Sequence, residues 1–178
     1  MRPIFIIGYM ASGKTTFGRA LARELKREFF DLDFYIEQRF RKTIREIFAE
    51  KGEDGFRQIE RDMLREVGEF DNAIISCGGG TPCFFDNMDF MRERGFTVRL
   101  DTPAERIVER LVRNNSKRPL MAGKSREEIE QTVAEGLAAR EPFYSKAEIS
   151  FCGSRLEDKS QISRTIREFI DQYPDCAR

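Results

Sequence analysis

The sequence contains no histidine. That one absence removes histidine metal sites, histidine general bases and serine–histidine triads together. Neither sign of charge is in excess: Lys plus Arg and Asp plus Glu number 31 each, for a formal net charge of zero. Proteins that bind nucleic acid in bulk carry a basic surplus to meet phosphates, so that role is set aside, although a local basic pocket is not. No apolar run is long enough to cross a bilayer. Residues 1–7, ahead of the first glycine motif, are too few for a signal peptide. A cytoplasmic protein with no membrane partner is expected. The four cysteines, Cys77, Cys83, Cys152 and Cys176, include no Cys-x-x-Cys pair. Zinc does not suit that spacing, and a disulfide framework does not suit a cytosolic chain of this size, so buried free thiols are expected. No internal repeat, low-complexity tract or interdomain linker is visible.

What is present fits one globular domain. The chain has 178 residues, 40% hydrophobic and 35% charged, enough to bury a core of its own. Short apolar runs alternate with longer amphipathic ones, the pattern of a parallel sheet covered by helices. Strands are predicted over residues 3–7, 29–33, 73–77, 97–100 and 148–151. Phe17, Leu21 and Leu25 recur every fourth residue and mark a helix after Lys14. Thr43-Ile44-Arg45-Glu46 has the form of a capping box opening a short helix that Gly52 should end, with another striped by Phe56, Ile59, Met63 and Val67. Thr102-Pro103-Ala104-Glu105 supplies a cap, a proline at the first helical position and an acid two further on. A third box, Ser125-Arg126-Glu127-Glu128, starts a helix expected to end near Arg140, and Ile162, Ile166 and Ile170 stripe the last one. Residues 114–124, polar and basic with Pro119 and Gly123, read as an exposed loop. The expected architecture is a single three-layer α/β domain.

Gly8-Tyr9-Met10-Ala11-Ser12-Gly13-Lys14-Thr15 satisfies every fixed position of the P-loop pattern, between an apolar strand and an amphipathic helix. Its glycines let backbone N–H groups turn inward around phosphate oxygens at the positive end of the helix. Lys14 is expected to reach the β and γ phosphates of ATP, and the Thr15 hydroxyl to bind Mg²⁺. With Gly8, Ala11, Ser12, Gly13 and Thr16 they form the expected nucleotide site. The loop alone does not fix the reaction, since switches, motors and kinases share it. The short chain favours a metabolite kinase, and no Asn-Lys-x-Asp-like segment for reading guanine is found.

Asp31 and Asp33 lie two apart near the end of the second predicted strand, where the alternation of a strand would put both carboxylates on one face. Open α/β sheets bind ligands off the carboxyl ends of their strands. One acid there can help hold a hydrated metal while the other accepts a hydrogen bond from an acceptor hydroxyl. Two solvated acids at a strand end are an equally good reading of that pair alone. Asp31-Leu32-Asp33, Gly55-Phe56-Arg57-Gln58-Ile59-Glu60, Gly78-Gly79-Gly80, Arg118-Pro119-Leu120 and Arg140 before Tyr144 follow the P-loop in that order. The succession, from about residue 3 to about residue 151, closely resembles the shikimate kinase family.

The resemblance implies transfer of the γ-phosphoryl of ATP to the 3-hydroxyl of shikimate, on a nucleoside-monophosphate-kinase-type fold with a five-stranded parallel sheet and a mobile lid. It implies a substrate-binding segment at about 31–62 and a lid at about 114–124. By it, Asp33 is the candidate base, Asp31 holds Mg²⁺ through water, and Arg57 and Arg140 grip the substrate carboxylate. Arginine suits that task, because its planar fork meets a carboxylate bidentately. Glu60, three residues after Arg57, can orient the guanidinium. Gly79 and Gly80 let backbone approach the substrate ring, and Arg118 closes on the phosphates. Each residue alone has a plainer reading: a surface ion pair for Arg57–Glu60, a mere turn for the glycines, a solvated loop charge for Arg118, a helix-end charge for Arg140. Two departures stand out. The third strand runs into Ser76-Cys77-Gly78 without the conventional metal-binding acid of P-loop proteins, a trait the shikimate kinase family shares and one that makes Asp31 matter more, and residues 110–117 match the family less well, leaving Arg110 and Arg113 both open as the arginine beside adenine. Alternatives are another acceptor, such as gluconate or a nucleoside monophosphate, and a nucleotide-binding regulatory module, against which Lys14 and Asp33 speak. A monomer is expected.

Overall fold

The computed structural model describes residues 1–113 and 123–177. Strand β1 (Ile4–Ile7) is wholly buried at the centre of a parallel sheet completed by β2 (Glu28–Asp31), β3 (Ala73–Ser76), β4 (Phe96–Asp101) and β5 (Ile149–Cys152). The order is β2-β3-β1-β4-β5, with Phe5 opposite Ile75 on one side and Thr97 on the other. A central strand covered on both faces has no polar side to show, so β1 reads as an unbroken apolar run and β3 as one that ends in the buried Ser76. Successive β1 residues feed two cores. Ile4 and Ile6 meet Phe17 and Leu21 of α1 (Lys14–Leu25) and Ile166 and Phe169 of α7 (Lys159–Gln172). Phe5 and Ile7 share the opposite core with helices α2 (Leu32–Phe40), α3 (Ile44–Gly68), α4 (Asn87–Arg94), α5 (Ala104–Arg113) and α6 (Arg126–Tyr144). A short α8 (Pro174–Ala177) closes the chain. The result is the three-layer α/β arrangement. After β1 the chain crosses to β2, and after β3 it crosses the other way to β4, so the adjacent carboxyl ends of β1 and β3 open on a crevice.

Several elements differ from the sequence-based expectation, each for a local reason. The second strand stops at Asp31 and not at residue 33. Asp31 is the N-cap of α2, its side chain accepting from the Phe34 N–H, and Asp33 lies in the first helical turn, where the helix dipole favours an acid. Strand alternation is therefore not what places the two carboxylates. Both capping boxes form, at Thr43 with Glu46 and at Ser125 with Glu128. Gly52 kinks α3 at φ 69° and ψ −176°, and the helix resumes without an intervening loop. The Thr102 hydroxyl donates to Ser12 O at 2.9 Å, tying the start of α5 to the phosphate-type loop. Helix α6 runs past Arg140 to Tyr144, carrying Pro142 within it. All four cysteines are free, but only Cys77 and Cys176 are buried; Cys83 is half-buried and Cys152 exposed.

Candidate active site

The loop between β1 and α1 holds Gly8 at φ 146° and Gly13 at φ 102°, backbone conformations that a side chain resists. Ala11 adopts the left-handed region too, at φ 61°. The loop is pinned from outside by Arg110, whose Nη1 donates to Ala11 O at 3.1 Å and Ser12 O at 3.0 Å, and whose Nε donates to Glu157 at 2.8 Å. Arg110 thus serves as a brace for the loop, whereas Arg113 on the same helix is 66% exposed and pairs with Glu157 at 3.3 Å. Lys14 Nζ curls back over the loop, donating to Gly8 O at 2.9 Å and Tyr9 O at 2.8 Å.

A cavity of about 420 Å³ lies over this loop, walled by Lys14, Thr15, Thr16, Asp31, Asp33 and Gly79 among others. Ala11 and Gly13 also line it, while Gly8 and Ser12 are buried in the loop beneath. The Thr15 hydroxyl donates to Asp31 Oδ2 at 2.8 Å, so the two expected metal-side groups already touch. Asp33 opens to the cleft, on the wall of the cavity that also holds Asp31 and Lys14. Desolvation there, reinforced by the negative charges of Asp31 and Glu60 and only partly offset by Lys14, pushes its pKa up to about 6. A carboxylate held near that value can accept a proton from a hydroxyl in neutral solution and part with it again.

Arg57 lies on α3, 15% exposed at its side chain, with Nη1 donating to Glu60 Oε2 at 2.9 Å. Glu60 is 1% exposed, so this pair is not a surface ion pair. The guanidinium carbon sits 4.1 Å from the centroid of the Phe84 ring, and Nε is buried with no hydrogen-bond partner among the described residues. A buried charged donor left open in this way suits a ligand acceptor. Gly80 makes room for the guanidinium, since a Cβ there would lie 2.8 Å from Nη2. Arg140 donates to Gly136 O at 2.8 Å and stacks 5.2 Å from the Tyr9 ring centroid, lining a second hollow beside the first, with Met10 common to both. Arg57 and Arg140 both act electrostatically on the Cys83 thiol, which burial pushes up in pKa.

The structure brings Lys14, Thr15, Thr16, Asp31, Asp33 and Gly79 around one cavity, and sets Arg57, Gly80 and Arg140 beyond its edge. Arg118 and most of the expected lid lie outside the described residues. Sequence reasoning missed Tyr144, whose buried hydroxyl donates to Gly79 O at 2.6 Å, and Tyr9, whose hydroxyl donates to Thr132 O at 3.3 Å. A cue for Tyr9 was Gly136 in mid-helix, where a Cβ would stand 2.3 Å from the tyrosine oxygen. Helix propensity favours alanine over glycine by about 1 kcal/mol. Here we expect the opposite sign: Gly136→Ala should lower stability by about 1–3 kcal/mol, because the buried Tyr9 ring must shift and give up its hydrogen bond to Thr132 O. Chemical denaturation checks this, and a more stable Gly136→Ala variant would contradict the packing.

Fold and cleft together define a P-loop kinase. A family model described as shikimate kinase matches residues 10–171. A shikimate kinase from Phocaeicola vulgatus is 52% identical over 166 residues, 93% of this chain and 95% of that protein. The crystal structure of shikimate kinase from Bacteroides thetaiotaomicron superposes with a TM-score of 0.94 at 45% identity, covering 97% of this chain and 98% of that one. Shikimate kinase from Acinetobacter baumannii, solved in complex with shikimate, gives a TM-score of 0.83 at 32% identity, over 98% and 94% of the two chains. The chain belongs to the shikimate kinase family.

Proposed function

We propose that this chain transfers the γ-phosphoryl group of ATP to the 3-hydroxyl of shikimate, giving shikimate 3-phosphate and ADP, on the way to chorismate and the aromatic amino acids. The observation that carries the reading, given the family, is the P-loop cavity with the Asp33 carboxyl, pKa about 6, on its wall. Asp33 accepts the proton of the attacking hydroxyl as its oxygen bonds to the γ-phosphorus and the bond from that phosphorus to ADP breaks. Lys14 leaves the Gly8 and Tyr9 carbonyls to meet the phosphates. Backbone N–H groups of the loop, with Gly8, Ala11, Ser12, Gly13, Thr15 and Thr16, cradle them. Arg57, through its unpaired Nε, and Arg140 receive the substrate carboxylate, with Gly79 and Gly80 beside the ring. Arg118 is assigned to the phosphates by its place in the sequence. Of the two arginines considered for adenine, Arg110 is occupied with the loop, which favours Arg113.

Mg²⁺ fits the donors present. Thr15 and Asp31 offer hard oxygen atoms within 2.8 Å of each other, and no group of three or more acidic, histidine or cysteine side chains among the described residues forms a cage. Such a sparse set suits an ion that keeps waters and phosphate oxygens as ligands. When bound, the ion neutralises charge on the transferring phosphoryl group. No helix among the described residues is long and apolar enough to cross a membrane; we assign the enzyme to the cytoplasm, as a monomer. The test is a coupled assay of ADP release with shikimate beside gluconate, AMP and CMP. Turnover is expected with shikimate alone; preference for another acceptor would replace the substrate assignment and keep the kinase.

A further inference from the structure

The turn that follows the three glycines carries a threonine that none of the proposed roles uses. Thr81 opens the 3-10 turn Thr81–Cys83 and is wholly buried. Its hydroxyl donates to Glu60 Oε1 at 2.6 Å, while Glu60 Oε2 accepts from Arg57 Nη1 at 2.9 Å. A buried carboxylate with both oxygens engaged by different partners cannot rotate without losing one of them. The turn is itself anchored. The Thr81 N–H donates to Gly78 O at 3.1 Å, and the wholly buried Asn87 donates its side-chain amide to Thr81 O at 2.9 Å. Asn87 Oδ1 in turn accepts from Arg65 Nη1 at 3.2 Å. The same turn delivers Phe84, whose ring faces the Arg57 guanidinium at 4.1 Å. Arg57 is thus held at its edge by Glu60 and, at 3.4 Å, by the exposed Glu53, and against its face by Phe84; the turn supplies Phe84 and the second partner of Glu60. Around Gly78, a Cβ would lie 3.0 Å from Thr81 Oγ1, 3.1 Å from Glu60 Oε1 and 3.2 Å from Asp33 Oδ1, so the hydroxyl, the clamp's counter-ion and the candidate base all crowd the same glycine.

We propose that Thr81 is a positioning residue for the substrate carboxylate: its hydroxyl holds Glu60, and Glu60 holds Arg57 in the orientation that binds. This rests on the assignment of Arg57 to a shikimate carboxylate. Removing the hydroxyl leaves a buried carboxylate oxygen without its donor and free to turn, and the guanidinium follows it. A misplaced guanidinium meets the substrate carboxylate poorly, and small errors of position in a binding group are costly.

The experiment measures steady-state kinetics and calorimetric shikimate affinity for the unsubstituted enzyme, Thr81→Val, Thr81→Ser, Thr81→Ala and Glu60→Gln, and for Thr81→Val combined with Glu60→Gln. Thr81→Val keeps the shape and loses the donor, so KM and Kd for shikimate should rise about tenfold, KM for ATP should hold, and kcat should change far less than KM. Thr81→Ser should restore shikimate affinity, because the hydroxyl returns. In the Glu60→Gln background, Thr81→Val should cost much less than alone, as expected of two residues acting through one contact. Should Thr81→Val fail to fold, Thr81→Ala must show the same rise in KM. Unchanged shikimate KM in the folded Val or Ala variant, equal loss in Thr81→Ser, or full additivity with Glu60→Gln would each overturn the proposal. An unsubstituted enzyme that phosphorylates another acceptor and not shikimate would overturn the functional reading itself, and this inference with it.

Discussion

Asp33→Asn is expected to bind ATP and shikimate and to transfer phosphate about 10²–10⁴-fold more slowly, the usual worth of a positioned base. The amide keeps the shape and the hydrogen-bonding reach of the carboxylate but cannot take the proton. The pH dependence gives an independent check. With a pKa of about 6 the group is protonated, and unable to act, on the acid side of that value. Measured with both substrates well below saturation, which reports the free enzyme, kcat/KM should therefore fall as pH drops through about 6 and level off above it. Stability should move the opposite way. The folded pKa stands above the ordinary 3.8, so folding takes up a proton in the window between them. The favourable contribution is complete below about pH 4 and is lost as pH rises through about 6. Asn carries no such dependence, so Asp33→Asn should gain on the parent in denaturation midpoint between about pH 4 and about pH 7. The group faces the cleft and water screens it, so we expect the direction and attach no energy to it. Near-normal kcat in Asp33→Asn would remove Asp33 from the role of base; a midpoint gap that does not widen with pH would remove the raised pKa and leave that role to the kinetics.

How much of this was legible depended on whether the backbone or a side chain carries the information. The P-loop was legible because a phosphate cradle needs particular residues at fixed spacing: Gly8 and Gly13 sit at φ 146° and 102°, and Lys14 and Thr15 follow directly. Strands β1 and β3 were legible because burial on both faces leaves apolar runs, and the edge strand β5 because its buried Ile149 and Phe151 alternate with exposed residues. Asp31 and Asp33 were placed at the right cleft by the wrong element, since a strand alternation and an N-cap followed by a first-turn acid both put acids two apart. Leu32 and Ile36, both wholly buried and four apart, were the helical cue. Helix α4 went unseen because few of its residues are apolar: Met88 and Met91 are buried in the core and Phe90 packs against it. Arg57 and Glu60 were legible as a helical pair, but the burial that gives the pair its meaning comes from the distant turn at 81–84. Sequence spacing does not encode such contacts. The same holds for Tyr144, whose hydroxyl reaches Gly79 across 65 positions of chain.

Arg57→Ala should combine two losses that a second substitution can separate. The first is recognition: without the guanidinium the substrate carboxylate meets no planar fork, and kcat/KM for shikimate should fall by about 2–5 kcal/mol in transition-state terms, chiefly through KM, with ATP binding intact. The second is stability. Glu60, 1% exposed, would keep only the Thr81 hydroxyl as a partner, and a buried carboxylate stripped of its counter-ion destabilises a fold by about 3–5 kcal/mol. Adding Glu60→Gln to Arg57→Ala removes the stranded charge and leaves a neutral amide that still accepts from Thr81. The double variant should therefore recover most of the lost denaturation midpoint and none of the shikimate affinity. Arg57→Lys probes the geometry from the other side: it restores a positive charge near Glu60, so stability should return in part, yet a single ammonium cannot reproduce the fork that Phe84 and Glu60 hold in place. Shikimate KM in Arg57→Lys should stay well above that of the parent. If Arg57→Ala keeps the parent's shikimate KM while losing stability, Arg57 is a buried structural partner of Glu60 and the carboxylate is bound elsewhere. If the Glu60→Gln combination recovers affinity together with stability, the loss in Arg57→Ala came from a disturbed fold and not from a missing contact to the substrate.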